Sequence, residues 1–197
     1  MTASPITMPP IPAGPKQVLH VGCGQSGLDK MPPVFRDGSW KEVRFDIDAS
    51  VRPDIVGDML DMHAVESGSM DAVWSSHNIE HVYPHETAIA FAEFFRVLKP
   101  GGFLAINCPD LQAAAELIAQ DRVDQPAYVS GSGKPIRPLD ILYGFGEALQ
   151  DGAHFMAHKT GFTRRTLMEG MAGAGFEPQC IRGKDSFDLW GLGVKPA

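Results

Sequence analysis

Cysteine is scarce in this chain: Cys23, Cys108 and Cys180 are the only three, far apart and without a Cys-x-x-Cys pair. That excludes a disulfide framework and a cysteine-built zinc site, and it suits a reducing compartment. Positive charge is also short, with 17 Lys and Arg against 24 Asp and Glu and a formal net charge of −7. Phosphate binding wants a basic field, so no nucleic-acid partner is expected. The local cluster Lys159, Arg164 and Arg165 reads as a solvated face at a helix start. No apolar run is long enough to span a bilayer, so no membrane partner is expected either. The opening MTASPITMPPIPAGPK is proline-rich and has no apolar core, unlike a signal peptide. It reads as a flexible arm over residues 1–16, and the protein is expected to be soluble and cytoplasmic.

What remains describes one globular domain over residues 17–197, without internal repeats. Of the 197 residues 44% are hydrophobic and 21% charged, enough for a sizeable core. Val18 to Val21 reads as a first strand, Val43 to Ile47 as a second, Asp54 to Val56 as a brief third and Asp71 to Ser75 as a fourth. Between the first two, Pro32 and Pro33 leave room only for a short helix. Glu86 to Leu98 is the clearest helix, with Ala88, Phe91, Ala92, Phe95 and Leu98 on one stripe. Lys99-Pro100-Gly101-Gly102 stops it, and Phe103 to Cys108 is a fifth strand. Pro109-Asp110 leads into a helix through Ala119. Thr163 is a candidate N-cap for a helix that ends near Gly173 to Gly175, and residues 176–194 suit one or two closing strands.

Strands that alternate with helices imply a mostly parallel sheet covered on both faces. Ligands of such sheets bind beyond the carboxyl ends of the strands. That rule gathers Gly22 to Gly27, Asp46, Asp58 and Ser75 to His77 around one crevice. In Val18-Leu19-His20-Val21-Gly22-Cys23-Gly24-Gln25-Ser26-Gly27 a strand breaks directly into glycines spaced Gly-x-Gly-x-x-Gly. Glycine serves where the backbone takes positive φ or approaches a ligand closely. The spacing alone fits a nicotinamide, flavin or S-adenosylmethionine pocket, or a tight turn with no ligand.

Four segments in order, VLHVGCGQSG, VRFDIDAS, DIVGDMLDM and DAVWSSHNIEHV, are followed by FFRVLKPGGFLAINCPD. Over roughly residues 17 to 110 the chain thereby resembles class I S-adenosylmethionine-dependent methyltransferases of the small "methyltransferase domain 11" type. The resemblance implies a doubly wound, Rossmann-like three-layer α/β sandwich whose last strand is reversed. It implies S-adenosylmethionine as methyl donor, S-adenosylhomocysteine as product and a small or modest-sized acceptor molecule. Gly22, Cys23 and Gly24 would approach the methionine and ribose portion, with Gly27 allowing close packing behind them. Asp46 would accept from the ribose hydroxyls, Asp58 from the adenine amino group beside the Met59 amide, and Ile47 would pack on the adenine face. Ser75 and Ser76 would present backbone carbonyls to the ligand's ammonium group.

His77-Asn78-Ile79-Glu80-His81 also spells HxxEH, a zinc-protease pattern. The segment coincides with a family feature and no third ligand is evident downstream, so no metal is expected, although His154 and His158 offer further imidazoles. For proton transfer the candidates are His77, His81, Tyr143 and His158. The last two lie in residues 121–160, a glycine- and proline-punctuated stretch that reads as a lid and acceptor-recognition segment. Two other readings stand beside methyl transfer: a catalytically silent module of the same fold, and an NAD(P)-dependent oxidoreductase. The proline-broken first helix and Arg96-Val97-Leu98-Lys99-Pro100-Gly101-Gly102 count against the second.

Overall fold

A computed structural model describes residues 14–183 and 187–197. The expected N-terminal arm lies outside the described residues as far as residue 13. Lys16 already opens the first strand, β1 (Lys16–Val21).

Alternating side chains dictate the sheet. In β1, Leu19 and Val21 face one core and Val18 the other; β4 (Met70–Ser76) divides the same way, with Val73 against Ala72 and Trp74. The remaining strands are β2 (Trp40–Asp46), β3 (Ile55–Val56), β5 (Leu98–Pro109), β8 (Glu177–Arg182) and β9 (Asp188–Val194). They form a seven-stranded sheet in the order β3-β2-β1-β4-β5-β9-β8. Strands β1 to β5 all run parallel, while β9 is antiparallel to both β5 and β8. The reversed last strand is therefore present, and residues 176–194 supply two strands.

The larger core lies under α1 (Thr87–Val97) and α5 (Arg164–Gly173). In α1 the buried stripe is Ala90, Phe91, Phe94 and Val97, not the one expected from the sequence. Ala88 and Ala92 are exposed and Leu98 has already entered β5, so the helix is turned by about one position. Small alanines do not register the face; the phenylalanines do, because their burial is worth far more. Thr163 caps α5 as expected, its side chain accepting from the Thr166 amide.

The opposite face is covered as well, by the short helical turns that the sequence allows there. Its core of Val18, Trp40, Ala72, Trp74, Phe103 and Leu192 lies beneath Met31 and Phe35. Met31 directly follows the 3-10 turn Leu28–Lys30, and Phe35 ends the 3-10 turn Pro33–Phe35. Among the described residues no α-helix contributes to that cluster. Pro32 and Pro33 leave room only for short turns there, and Phe35 fills the gap with its ring stacked on Phe103 at 6.0 Å and edge-on to Trp40 at 5.1 Å.

Residues 121–160 are more structured than their composition implies. They hold a two-stranded hairpin, β6 (Tyr128–Val129) with β7 (Pro135–Ile136), and the short helices α3 (Pro138–Tyr143) and α4 (Gly146–Gln150). The helix after Asp110 is α2 (Leu111–Ile118), capped by the Asp110 side chain.

Candidate functional site

A cleft of about 400 Å³ opens beyond the carboxyl ends of β1, β2, β3 and β4. This volume lies within the range of small-ligand sites. Gly22 and Gly24 line it from the bend after β1, with φ of 69° and 50°, in the left-handed region that suits glycine. The bend is anchored by main-chain bonds, since the Gly22 and Cys23 amides both donate to the Phe45 carbonyl at 2.9 and 3.3 Å. The two glycines differ in surroundings. A Cβ on Gly22 would lie 2.6 Å from Asn78 Cγ, whereas one on Gly24 would meet nothing within 4 Å. Gly24 therefore leaves open space beside its backbone.

Asp46 closes β2 and is buried. Its Oδ2 accepts from the Gly24 amide at 2.8 Å and its Oδ1 from the Asp48 amide at 2.9 Å. Each carboxylate oxygen keeps a further lone pair, so Asp46 can accept from a ligand while it holds the glycine bend. Asp58 follows β3 through Gly57 and folds into a local turn in which its Oδ1 accepts from the Leu60 amide at 2.9 Å. Ile47, 61% exposed, and Met59 line the same cleft. Arg44, which the sequence reading did not single out, donates to the Gly24 carbonyl and braces the bend from behind.

His77 stands just past β4 with φ of 47°, a left-handed conformation uncommon for a side-chain-bearing residue. Its amide donates to the Asn107 carbonyl at 2.8 Å, which holds the turn. Desolvation pulls the His77 imidazole down, but the carboxylates of Glu80 and Asp188, each 3.6 Å from a ring nitrogen, outweigh it and raise its pKa above the ordinary value. His81, on the 3-10 turn Ile79–His81, also lines the cleft.

Thus Gly22, Gly24, Asp46, Ile47, Asp58, Met59, His77 and His81 come together as lining residues. The other candidates stand elsewhere. Cys23 is buried behind the bend and burial raises its thiol pKa. Gly27 packs near Asp29 and Glu42, and Ser75 is fully buried. Ser76 points its hydroxyl at Asn107 Oδ1, 3.4 Å away. Tyr143 is 64% exposed and does not line the cleft.

His158 stands behind the cleft, beside Glu80 and His81. HxxEH does not form a two-histidine helix face here. The segment is a left-handed residue followed by a 3-10 turn; His77 Nδ1 lies 3.6 Å from Glu80 Oε1, and the three groups whose ligand atoms cluster together are Glu80, His81 and His158. Asn78, Phe155, Met156 and Lys159 also line the cleft. The last three belong to the stretch expected to cover it, and Asn78 was hidden inside HxxEH.

The methyltransferase-domain family matches residues 19–106. No curated protein matches the sequence. Among solved structures, a SAM-dependent methyltransferase from Methanosarcina mazei superposes with a TM-score of 0.58 at 15% identity, over 94% of this chain and 95% of that one. An S-adenosylmethionine-dependent methyltransferase from Mesorhizobium loti gives 0.59 at 14% identity, over 92% of each chain. The 1,6-didemethyltoxoflavin-N1-methyltransferase of Burkholderia thailandensis, with bound 1,6-didemethyltoxoflavin and S-adenosylhomocysteine, gives 0.55 at 16%, over 93% of this chain and 72% of that one. At these identities the likeness is one of fold.

Proposed function

We propose that this protein, whose residues 19–106 match the methyltransferase-domain family, transfers a methyl group from S-adenosylmethionine to a small or modest-sized acceptor. The observation that carries this is the convergence of the glycine bend, Asp46 and Asp58 on one cleft at neighbouring strand tips.

The residues present suit that cofactor. Gly24 leaves space against its backbone, Asp46 retains acceptor capacity for ribose hydroxyls, and Asp58 with Met59 and Ile47 frames the place for adenine. Charge argues the same way. Asp46, Asp48, Asp58 and Glu86 line the cleft, with Lys159 the one Lys or Arg among its lining residues. Such a site favours a cationic ligand over a pyrophosphate. The bend also leads into a three-residue 3-10 turn, Leu28–Lys30, rather than a long helix whose dipole would face phosphate.

Bound there, S-adenosylmethionine supplies a methyl group already activated on a sulfonium. What is left to the protein is to hold an acceptor in place and keep water out, which accounts for much of the acceleration in such reactions. Phe155 and Met156 bring apolar surface to the mouth of the cleft, and His77 and His81 bring imidazoles. The toxoflavin enzyme of Burkholderia thailandensis holds a small molecule on this fold, which supports a small acceptor here.

Calorimetry against S-adenosylmethionine, S-adenosylhomocysteine and NADH tests the reading. Binding of the first two and none of NADH is expected, with S-adenosylhomocysteine released on turnover of an acceptor. Binding of NADH alone would make the protein an oxidoreductase. Tight cofactor binding with no release across a broad acceptor panel would leave a silent binding module.

A further inference from the structure

Glu80 does not line the cofactor cleft, yet it is a carboxylate buried in the interior. It is 1% exposed, neither oxygen accepts a hydrogen bond among the described residues, and His77 Nδ1 stands 3.6 Å from Oε1. A buried carboxylate without hydrogen bonds is unfavourable unless a cation compensates it. Imidazoles surround it. Glu80, His81 and His158 each offer a ligand atom, and the three atoms all lie within 4.8 Å of one another. The rings of His81 and His158 meet edge to face at 5.1 Å.

The backbone sets the tautomers. His81 Nδ1 faces the Ala157 carbonyl at 3.1 Å, and His158 Nδ1 faces the Ile141 carbonyl at 2.8 Å. A carbonyl only accepts, so both Nδ1 atoms carry hydrogen and each ring keeps the Nε2 lone pair. Nε2 of His158 is 4.0 Å from Glu80 Oε1. A histidine that donates its other ring nitrogen to a backbone carbonyl is oriented as metal-ligating histidines are. The two parts of the cluster are also stitched together. The Lys159 and Thr160 amides donate to the Glu80 carbonyl at 2.8 and 3.2 Å, and the His158 amide to the Tyr143 carbonyl at 3.1 Å.

We propose that Glu80, His81 and His158 bind one divalent transition-metal ion. Two imidazoles and one carboxylate suit Zn²⁺, Co²⁺ or Fe²⁺ and leave coordination positions open. This reverses the expectation of no metal drawn from the sequence. His81 belongs both to the cluster and to the cleft lining, so the ion adjoins the cleft. An open position there takes an oxygen ligand and eases loss of its proton to solvent. Resting on the methyl-transfer reading, this makes the acceptor a hydroxyl compound; the metal site itself does not depend on that reading.

The test uses the full chain, stripped with chelator and titrated with Co²⁺ and with Zn²⁺ in the absence of cofactor. One equivalent is expected to bind, with the visible absorption of nitrogen- and oxygen-ligated Co²⁺. Glu80→Gln and His158→Asn should each abolish that spectrum, while His154→Ala, which changes an exposed histidine outside the cluster, should retain it. Thermal melts identify any variant that fails to fold, and His81→Gln then replaces it. No binding, or binding unchanged in the folded variants, overturns the site. Metal binding without affinity for S-adenosylmethionine would instead fault the methyl-transfer reading alone. Turnover equal with and without metal would overturn the hydroxyl assignment.

Discussion

Asp46 Oδ2 accepts the Gly24 amide at 2.8 Å, so the carboxylate that ends β2 holds in shape the bend that ends β1. One side chain thereby positions the backbone of the cleft and presents lone pairs to whatever enters it. Replacing Asp46 with Asn keeps one acceptor oxygen and removes the charge. The loss of a charge-assisted hydrogen bond is worth about 2 kcal/mol, roughly thirtyfold in affinity. Calorimetry with S-adenosylhomocysteine should show that weakening in D46N, and an unchanged dissociation constant would remove Asp46 from the ligand.

Gly22 and Gly24 should respond differently to alanine. Both pay about 1–2 kcal/mol for a left-handed side-chain residue. Only at Gly22 does the new methyl also meet Asn78, 2.6 Å away. Denaturant unfolding should therefore show the greater loss of stability in G22A. G24A should fold and lose cofactor affinity instead, because its methyl enters the open space. Equal stabilities for the two variants would contradict this.

Phe35 tests the thinly covered face. It is 1% exposed and packs on Trp40, Trp74 and Phe103 from a 3-10 turn. Phe35→Ala should cost about 3–5 kcal/mol. A loss below about 1 kcal/mol would mean that other residues cover this side of the sheet.

His20 makes stability depend on pH. Burial lowers its pKa below 6.5, against the raising pull of Glu42, whose Oε1 lies 2.7 Å from Nδ1. The unfolded chain takes up this proton near 6.5 and the folded chain only at lower pH. Within that window the unfolded state binds more protons, so stability falls as pH drops. Unfolding curves from pH 7.5 downward should show the decline beginning near 6.5. His20→Gln should flatten that part of the profile, and an identical slope in both proteins would exclude His20 as its source.

The reversal of β9 followed only from the family resemblance, whereas the strands and the glycine bend were legible because their signals are local: alternation, proline and glycine spacing. Asp46 and Asp58 were legible for the same reason, each lying at a strand tip or just past one. The face of α1 was not, since Ala88 and Ala92 fit the helical period without belonging to the core. His154 and His158 were both visible as further imidazoles, but which of them joins Glu80 and His81 was not. His158 arrives from a distant part of the chain, brought there by main-chain bonds that leave no mark in residue type. Asn78 is equally silent in sequence, since its contact with Gly22 follows from the turn after β4.

Strand β8 touches the rest of the sheet only through β9, which is threaded antiparallel between it and β5. During synthesis Glu177–Arg182 emerges first, after α5 against which it packs, and has no strand neighbour until Asp188–Val194 follows it. The edge of the sheet therefore closes from the inside out, with the later-made strand serving as the bridge for the earlier one. Until then the row of amides and carbonyls along β5 is unpaired, and completion of this edge of the sheet waits on β9.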